Sequence, residues 1–477
     1  MMDDDLAFAP AWKQAALVAK KHVSPVELVE LYLRRIERLD STLHAYITVC
    51  ADHARAAAKE AEARLRSPID LPPLLGVPIS IKDLEATRDI RTTLGSRAFR
   101  DTIPRSDSVV VERIRRSGAI IIGKTSTPEL GVSLAAVTDN LLVGPCRNPW
   151  NVQCTTGGSS GGAAAAVAAG LCALAVGTDG GGSIRIPASF CGVVGMKPSH
   201  GRIPRAGSLG RLEPNQFSQS GPLTNDVRDA AILLQALAGP DVRDPCPDLR
   251  VTPPDFVMDL DRGARGLRIG WSPGFGYGAV DPEVQHIVYQ AARVFDEELG
   301  AIVEDAAIEL EPTLSEHFWT VYGANLCAAF GYLLEEDRGS ELGDDARGVL
   351  ERGRAITGAR YAASLRVVFE LRRRMDETMD RYDLLLTPAT AVTAYPPDQR
   401  PHVIDGRPVD SVTGIYPCTF PINMTGQPAV SVPCGLLRGL PVGLQLIGRR
   451  GDEATVLRAA AAFGQARPWA QHRPSVR

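Results

Sequence analysis

Short apolar runs rich in β-branched residues alternate along the chain with longer stretches in which apolar residues recur every three or four positions. Runs of the first kind predict buried strands, and stretches of the second kind predict amphipathic helices. The candidate strands are residues 77–81, 119–122, 171–176, 267–270, 302–304, 384–386, 429–432 and 444–447. Helical spacing is clear over residues 282–299, 315–335, 361–381 and 453–465. This alternation favours a layered α/β fold with a mixed or parallel sheet.

The first part of the chain shows helical patterns and no evident chemistry. Ser24 and Glu27 form a capping box around Pro25, which predicts the start of a helix. An Ala-rich stretch over residues 51–65 predicts a second helix. We therefore expect residues 1–70 to form a helical layer that wraps around the main body of the fold.

Composition excludes several classes of function. The 477 residues are 44% hydrophobic and 23% charged, and the net charge is −4, so nothing favours binding to nucleic acid or to an anionic membrane. The acidic start, Met1 to Asp5, does not resemble a signal peptide, and no apolar run is long enough to span a bilayer. Nine scattered cysteines without a Cys-x-x-Cys pair predict reduced thiols and a cytoplasmic protein. The eight histidines form no zinc-binding pattern, so no metal is predicted.

Two motif matches fail in their context. Residues 118–125 match the P-loop pattern letter for letter, but the intervening residues 119–122 are Ala-Ile-Ile-Ile, which predicts a buried strand where phosphate binding needs a loop. Residues 158–162 match Gly-x-Ser-x-Gly around Ser160, the pattern of a nucleophile elbow. No apolar strand precedes Ser160, so a flexible Gly-Ser loop is the better interpretation.

A second glycine-rich turn runs from Gly177 to Ser183 directly after a predicted strand. Successive glycines let backbone N–H groups point into one concavity, which is what an oxyanion needs. An ordinary tight turn with Ser183 at a helix start is the alternative. Lys82 ends another apolar strand; burial would lower its pKa and make it a base, whereas a lysine at a strand end is more often a surface residue.

Taken together, these pieces resemble the amidase signature family of serine hydrolases. Ser159 and Ser183 are separated by 24 positions, as the family pattern requires. The resemblance extends over residues 20–465, and the matching segments are residues 76–83, 148–150, 157–162, 177–187, 191–198, 220–222, 387–388 and 439–448.

The resemblance implies a fold and a division of the chain. The fold would be a single large α/β/α domain with a mixed, mostly parallel central sheet flanked by helices. Residues 71–477 would form this domain, with a signature core over 74–225 and a variable half over 265–477 that shapes the substrate pocket. The Pro-rich stretch 240–254 resembles a surface connection between the two halves.

The resemblance also implies a Ser-Ser-Lys triad that needs no metal or organic cofactor. Ser183 would be the nucleophile, Ser159 the bridging serine on a cis peptide bond, and Lys82 the terminal base. Backbone N–H groups would form the oxyanion hole, supplied by Gly180, Gly181, Gly182 and Ser183. Asp179 and Arg185 would support the loop and the second serine, Ser160, through hydrogen bonds; a plain surface ion pair is the alternative for Asp179 and Arg185.

Substrate choice is left open by the resemblance, because family members cleave very different bonds. We expect a small-molecule substrate, an aryl or apolar carboxylic amide, with activity on esters and carbamates as well. The alternatives are a carbamate hydrolase, an inactive binding or scaffold protein, and a glutamine-using amidotransferase subunit. Ile186 stands where amidotransferase subunits usually carry Gln, which favours a free-standing hydrolase. Whether the chain forms a homodimer stays open.

The sequence also offers a set of candidate pocket aromatics, for which core packing is the equal alternative. They are Phe318, Trp319, Tyr322, Phe330 and Tyr332 in one stretch and Tyr395, Tyr416 and Phe420 in another. Aromatic walls would suit an apolar or aryl substrate.

Overall fold

A sheet of eleven strands runs through the centre of the fold. The computed structural model describes residues 3–66, 70–134, 136–207, 216–244, 252–335, 337–410 and 412–476. In chain order the strands are β1 Tyr46–Val49, β2 Pro78–Lys82, β3 Ile120–Thr125, β4 Arg147–Asn148, β5 Asn151–Thr155, β6 Leu174–Asp179, β7 Val194–Lys197, β8 Gln219–Thr224, β9 Arg268–Trp271, β10 Ile302–Asp305, β11 Leu384–Pro388, β12 Val403–Ile404, β13 Arg407–Pro408, β14 Ala429–Leu437 and β15 Leu440–Gly448. The order in the large sheet is β1-β3-β2-β6-β8-β7-β14-β15-β11-β9-β10.

Helices flank this sheet, and each predicted helical stretch overlaps one of them. They are α1 Asp3–Ala7, α2 Ala11–Ala19, α3 Pro25–Leu43, α4 Ala51–Arg64, α5 Val109–Arg116, α6 Gly161–Ala168, α7 Arg185–Cys191, α8 Val227–Leu237, α9 Pro282–Glu297, α10 Leu314–Phe330, α11 Asp344–Arg354, α12 Gly358–Arg381, α13 Phe420–Thr425 and α14 Glu453–Ala466. The stretch predicted over 315–335 ends earlier as an α-helix and continues as a short 3₁₀ turn, Gly331–Leu334. The predicted single α/β domain with a mixed sheet is confirmed.

The expectation that parallel pairs dominate the sheet needs correction. Parallel pairing is confined to β3-β2-β6 and to β11-β9-β10, whereas the strands between these groups are antiparallel. For β14 and β15 the antiparallel pairing follows from the connection between them. Only two residues, Arg438 and Gly439, join these strands, and both have positive φ. Such a tight turn can connect only antiparallel strands.

The first 70 residues contribute more than helices. The capping box at Ser24 forms as predicted and begins α3. Strand β1 then pairs antiparallel with β3 and forms one edge of the large sheet. The division at residue 70 stays a prediction, although this part of the chain supplies a strand as well as a helical layer.

The P-loop lookalike is part of the sheet interior. Its residues 120–125 form β3, every residue of which is buried. Lys124 makes its hydrogen bonds to the Glu85 carbonyl, Thr87 Oγ1 and Thr92 Oγ1 within the core. The residues therefore form a strand, as their apolar character predicts. Within the described part of the chain, none of the helices combines the length and the apolar character that a membrane crossing requires.

Candidate active site

Two neighbouring parallel strands bring the predicted site residues to one edge of the sheet. Strand β2 ends at Lys82 and strand β6 ends at Asp179, and the two are in register with Ile81 opposite Val176. Because the strands are parallel, their carboxyl ends meet at the same edge. The glycine-rich segment begins in the last three residues of β6, which extends to Asp179, and leads into α7. Ser159 and Ser160 directly precede α6.

Lys82 is fully buried and makes three close contacts with hydroxyl groups. Its Nζ lies 2.6 Å from Ser159 Oγ, 3.0 Å from Ser160 Oγ and 2.9 Å from Thr178 Oγ1. The Gly158–Ser159 peptide bond is cis, as the resemblance implied. The structure thus brings Lys82, Ser159 and Ser160 together, and it adds Thr178, which the sequence analysis did not single out although it lies inside the matched segment 177–187.

Burial strongly affects the protonation of this lysine. Desolvation lowers the pKa of Lys82 well below the usual range of a lysine, and the charge of Arg205 lowers it further, while the carboxylates of Asp179 and Glu85 oppose the shift. The ammonium form is disfavoured because the low dielectric of the interior stabilises charge poorly. A neutral amine at this position can accept a proton.

Ser183 faces a small cavity of about 30 Å³, and it is only half-buried. The cavity is lined by Gly131, Ser133, Ala136, Gly158, Gly181, Ser183, Ile186, Phe318, Trp319, Tyr322 and Tyr416. The Ser160 N–H donates to the Ser183 carbonyl at 3.0 Å, which fixes the two serine segments relative to each other. Among the described residues, no side chain hydrogen-bonds the Ser183 hydroxyl, so the structure leaves it exposed to the cavity.

The glycine-rich turn is shaped by Asp179. One carboxylate oxygen accepts the Gly182 N–H at 2.8 Å, and the other accepts the Ile184 N–H at 3.1 Å. This corrects the predicted oxyanion hole, because the Gly182 N–H is already committed to Asp179. The N–H groups of Gly180, Gly181 and Ser183 have no acceptor within the described part of the chain, so these three can serve as donors.

Arg185 and Asp179 form a buried ion pair, so the alternative of a surface pair is wrong. Arg185 Nε and Nη2 each lie 3.0 Å from a different oxygen of Asp179, and both side chains are fully buried. Burial alone would raise the pKa of the Asp179 carboxyl, but the charge and hydrogen bonds of Arg185 outweigh it, and the pKa lies well below the usual range. The carboxylate therefore stays ionised and continues to accept hydrogen bonds from the backbone N–H groups of the turn.

Two residues that the sequence analysis missed complete this network from the far end of the chain. Arg185 donates to Gln445 Oε1 and to Asn423 Oδ1, both at 2.6 Å. Asn423 Nδ2 in turn donates to the Asp179 carbonyl at 2.9 Å and to Asp179 Oδ1 at 2.8 Å. Gln445 lies within the matched segment 439–448, which was a signal for it; nothing comparable pointed to Asn423.

Ser160 supports the site through other partners than those expected. Its Oγ donates to the Thr178 carbonyl at 3.0 Å and accepts the Thr178 N–H at 3.2 Å, in addition to its contact with Lys82. Ser160 therefore attaches the serine loop to β6, while Asp179 and Arg185 hold the glycine-rich turn.

The candidate pocket aromatics divide between the cavity and the core. Phe318, Trp319, Tyr322 and Tyr416 line the cavity next to Ser183. Phe420 packs behind them, with its ring 5.5 Å from that of Phe318. The others belong to the core: Phe330 packs on Phe99, Tyr332 packs against the same cluster, and Tyr395 packs on Phe190. Both interpretations of the aromatic set are thus correct in part.

Comparison with known proteins identifies the family of the chain. The sequence model of the amidase family matches residues 27–457, which is most of the chain. The chain belongs to the amidase signature family. As a member of this family it is an amide-hydrolysing enzyme.

Relatives within the family have different names. An acylamidase of Rhodococcus erythropolis is 36% identical over 478 residues, covering 100% of this chain and 99% of the relative. A glutamyl-tRNA(Gln) amidotransferase subunit of Moorella thermoacetica is also 36% identical, with 99% of each chain covered. The crystal structure of a bacterial aryl acylamidase superposes with a TM-score of 0.90 at 35% identity and 97% coverage of both chains.

Proposed function

We propose that this amidase hydrolyses carboxylic amides through an acyl-enzyme on Ser183, with Ser159 and Lys82 as the proton relay. The observation that carries the proposal is the 2.6 Å contact between Lys82 Nζ and Ser159 Oγ in a fully buried setting. A serine hydroxyl is a weak nucleophile and needs an adjacent base, and burial makes Lys82 neutral enough to be that base.

The hydrogen bonds around Lys82 support one direction of proton transfer. A neutral amine has two N–H donors and one lone pair. Ser160 uses its own proton on the Thr178 carbonyl, so it accepts a hydrogen bond from Lys82. Thr178 Oγ1 takes the other N–H. The lone pair is then left for the hydroxyl proton of Ser159.

In the proposed reaction Ser183 Oγ bonds to the amide carbon while its proton passes to Ser159, whose own proton moves to Lys82. The N–H groups of Gly180, Gly181 and Ser183 stabilise the resulting oxyanion. The C–N bond breaks as the relay runs backward and the leaving nitrogen receives the proton, which a poor leaving group such as an amine requires. Water then attacks the acyl-enzyme by the same route and releases the acid.

Fluorophosphonate labelling tests the nucleophile directly. We expect intact-protein mass spectrometry to show one adduct on the wild type, located at Ser183, and none on Ser183→Ala. Ser183→Ala should also lose nearly all amide turnover. Labelling at another serine, or substantial turnover by Ser183→Ala, would overturn the assignment.

We further propose that the substrates are aryl or otherwise apolar amides. The support is the lining of the cavity, in which Phe318, Tyr322, Tyr416 and Ile186 provide apolar surface next to Ser183. The acylamidase and aryl acylamidase relatives agree with it. Matched substrates distinguish this from a carbamate hydrolase: an N-aryl acetamide and the corresponding N-aryl methyl carbamate release the same amine. We expect faster release from the amide; faster release from the carbamate would favour the urethane activity.

A glutamine-using activity has its own support in the amidotransferase relatives. It would require charged groups that pair with the α-amino and α-carboxylate groups of glutamine, yet the described residues that line the cavity carry no charge. We therefore expect kcat/KM for L-glutamine to be far below that for an aryl acetamide. The reverse order would support the amidotransferase alternative.

A further inference from the structure

The side chain of Thr419 connects the C-terminal half of the chain to the glycine-rich turn. Thr419 directly precedes α13 and is fully buried. A threonine at this position commonly caps its own helix, yet the Thr419 side chain makes no capping hydrogen bond. Its Oγ1 donates instead to the Gly181 carbonyl at 2.9 Å. The hydroxyl is therefore bonded to the turn and not to the helix that it precedes.

This hydroxyl has a second acceptor within reach, the Tyr416 carbonyl at 3.2 Å. A threonine hydroxyl carries a single proton, so the two carbonyl groups compete for it. The Tyr416 carbonyl already accepts the backbone N–H of Thr419 at 3.2 Å. The Gly181 carbonyl is the closer of the two acceptors, so we assign the hydroxyl proton to the bond with Gly181.

The peptide unit between Gly181 and Gly182 is held at both of its polar groups. Its carbonyl accepts from the Thr419 hydroxyl, and its N–H donates to Asp179 Oδ1 at 2.8 Å. The C=O and N–H of a trans peptide point in opposite directions, so these two bonds fix the plane from both sides. Both flanking residues are glycines, whose backbone permits many values of φ and ψ. The plane therefore depends on these two bonds for a single orientation.

The candidate oxyanion donors lie on the two peptide units that adjoin this plane. The Gly181 N–H belongs to the unit before it, and the Ser183 N–H belongs to the unit after it. Adjacent planes share Cα atoms, so a middle plane that is free to rotate leaves the directions of both N–H groups less well defined. An oxyanion is stabilised by donors that already point to the position of the developing charge. Thr419 is not one of the described residues that line the cavity, so its bond would influence catalysis through the turn.

We propose that Thr419 is a positioning residue for the oxyanion hole. Its hydroxyl holds the Gly181–Gly182 peptide so that the Gly181 and Ser183 N–H groups point at the oxygen of the tetrahedral intermediate. This inference rests on the proposed amidase function and assigns a part of its machinery to the C-terminal half of the chain. The role is confined to the transition state, because the donors matter most where the negative charge develops.

Thr419→Val tests the hydroxyl, because valine retains the shape of threonine and donates no hydrogen bond. We expect kcat/KM for an aryl acetamide to fall about ten- to a hundredfold, somewhat less than after the loss of a whole oxyanion donor. Thr419→Ser restores the donor and should recover kcat/KM to within about threefold of the wild type. Thr425→Val is the matched control, since Thr425 is a buried threonine of α13 whose hydroxyl donates to the Pro421 carbonyl of the same helix. It should leave kcat/KM unchanged.

Two inhibitors of nearly the same shape distinguish positioning from a general loss of structure. With an aryl trifluoromethyl ketone, Ser183 Oγ adds to the carbonyl carbon, its proton passes to the relay, and the carbonyl oxygen becomes an oxyanion. The corresponding alcohol carries no carbonyl group and forms no oxyanion. In Thr419→Val the inhibition constant of the ketone should rise by the same factor by which kcat/KM falls, whereas that of the alcohol should change less than about twofold. The pH dependence of kcat/KM should keep its midpoint, because the described hydrogen bonds of Lys82 do not involve Thr419.

Wild-type ketone affinity in Thr419→Val would overturn the proposal, and so would equal losses of affinity for the ketone and the alcohol or a loss that Thr419→Ser does not recover. Thr419→Ala covers the case in which Thr419→Val does not fold, since it removes the hydroxyl and adds no new contact; the same pattern is expected. The proposed amidase function is tested separately by Ser183→Ala. If turnover requires Ser183 and the ketone inhibits the wild type, but its affinity does not depend on position 419, the function stands and only this inference fails.

Discussion

The protonation state of one residue, Lys82, governs the proposed chemistry, and this yields a pH dependence. Burial lowers the pKa of Lys82 well below the usual lysine range. Only the neutral amine can accept a proton, so activity should be full above this lowered pKa and fall as the pH decreases through it. We therefore expect kcat/KM for an aryl amide to show an acid limb far below the range in which a solvent-exposed lysine titrates.

The measurement is a pH profile of kcat/KM for the wild type and for Lys82→Ala. The variant should retain a small residual rate without this limb, since it has no amine to titrate. The loss of kcat/KM caused by Lys82→Ala should be larger on an amide than on an activated ester, because the leaving group of the ester needs less protonation. An acid limb that persists unchanged in Lys82→Ala would assign the titration to another group and contradict the role of Lys82.

At the scale of elements, the glycine-rich turn between β6 and α7 depends on Gly182. Its φ of +128° is a conformation that side chains rarely adopt, and an added Cβ would lie 2.4 Å from Thr419 Oγ1. Gly182→Ala should therefore displace the turn, including the Ser183 and Gly181 N–H groups. We expect kcat to fall at least a hundredfold, by analogy with the loss of an oxyanion donor, and the melting temperature to fall as well.

The control for this substitution is Gly464→Ala in α14, where an added Cβ meets nothing within 4 Å. That variant should match the wild type in kcat and be as stable or slightly more stable, because alanine favours a helix. Wild-type activity in Gly182→Ala would show that the turn tolerates a side chain and would contradict this account of its geometry.

The sequence predicts elements well where a single pattern is strong. Strands such as β2 and β3 are continuous apolar runs, and helices such as α9 and α12 have regular spacing, so both kinds were recognised with small errors at their ends. Strand β8 was missed because Gly221 and Pro222 interrupt it, although it pairs with β6 along its whole length. Its position depends on partners that are distant in the chain, which a local pattern does not contain.

The same limit explains which residues of the site could be identified from the sequence. Lys82, Ser159 and Ser183 could be named because the resemblance is carried by local segments. The Gly182 N–H was assigned to the oxyanion hole because glycines in a row look alike in sequence, whereas the side chain of Asp179 selects which N–H groups are free. Asn423 was missed because its role consists entirely of contacts with residues more than two hundred positions away.

At the scale of the whole molecule, side chains from the C-terminal half hold the glycine-rich turn in place. Asn423 donates to Asp179 and to the Phe217 carbonyl and accepts from Arg185. Asn423→Ala would leave several of these buried groups unpaired. We expect a loss of about 2–4 kcal/mol in the free energy of unfolding and a drop in kcat of at least tenfold. Gln465→Ala, an exposed amide on α14, is the control. A variant as active as the wild type would mean that the turn holds its shape without the C-terminal half.

A buried arginine attaches the N-terminal layer to the end of α6. Arg35 on α3 donates from Nε to the Gly170 carbonyl at 2.7 Å and from Nη2 to the Ala169 carbonyl at 3.0 Å, just beyond the last residue of α6. A cation there satisfies carbonyl groups that the helix leaves unpaired and complements its dipole. Because α6 begins directly after Ser160, this contact anchors the far end of the helix that presents the serine loop.

Arg35→Met should therefore lower the free energy of unfolding and leave kcat nearly unchanged. Methionine can fill much of the space but donates no hydrogen bond, so we expect a loss of about 2–4 kcal/mol in the free energy of unfolding. Below the unfolding transition, kcat per fluorophosphonate-titrated site should stay within about twofold of the wild type, because the hydrogen bonds of Lys82 and Asp179 are untouched. Arg64→Met, an exposed arginine on α4, should change neither quantity. Urea unfolding and active-site titration measure the two effects separately. A large fall in kcat per titrated site at unchanged stability would mean that the N-terminal layer acts on the chemistry itself, contrary to the purely anchoring role that these contacts assign to it.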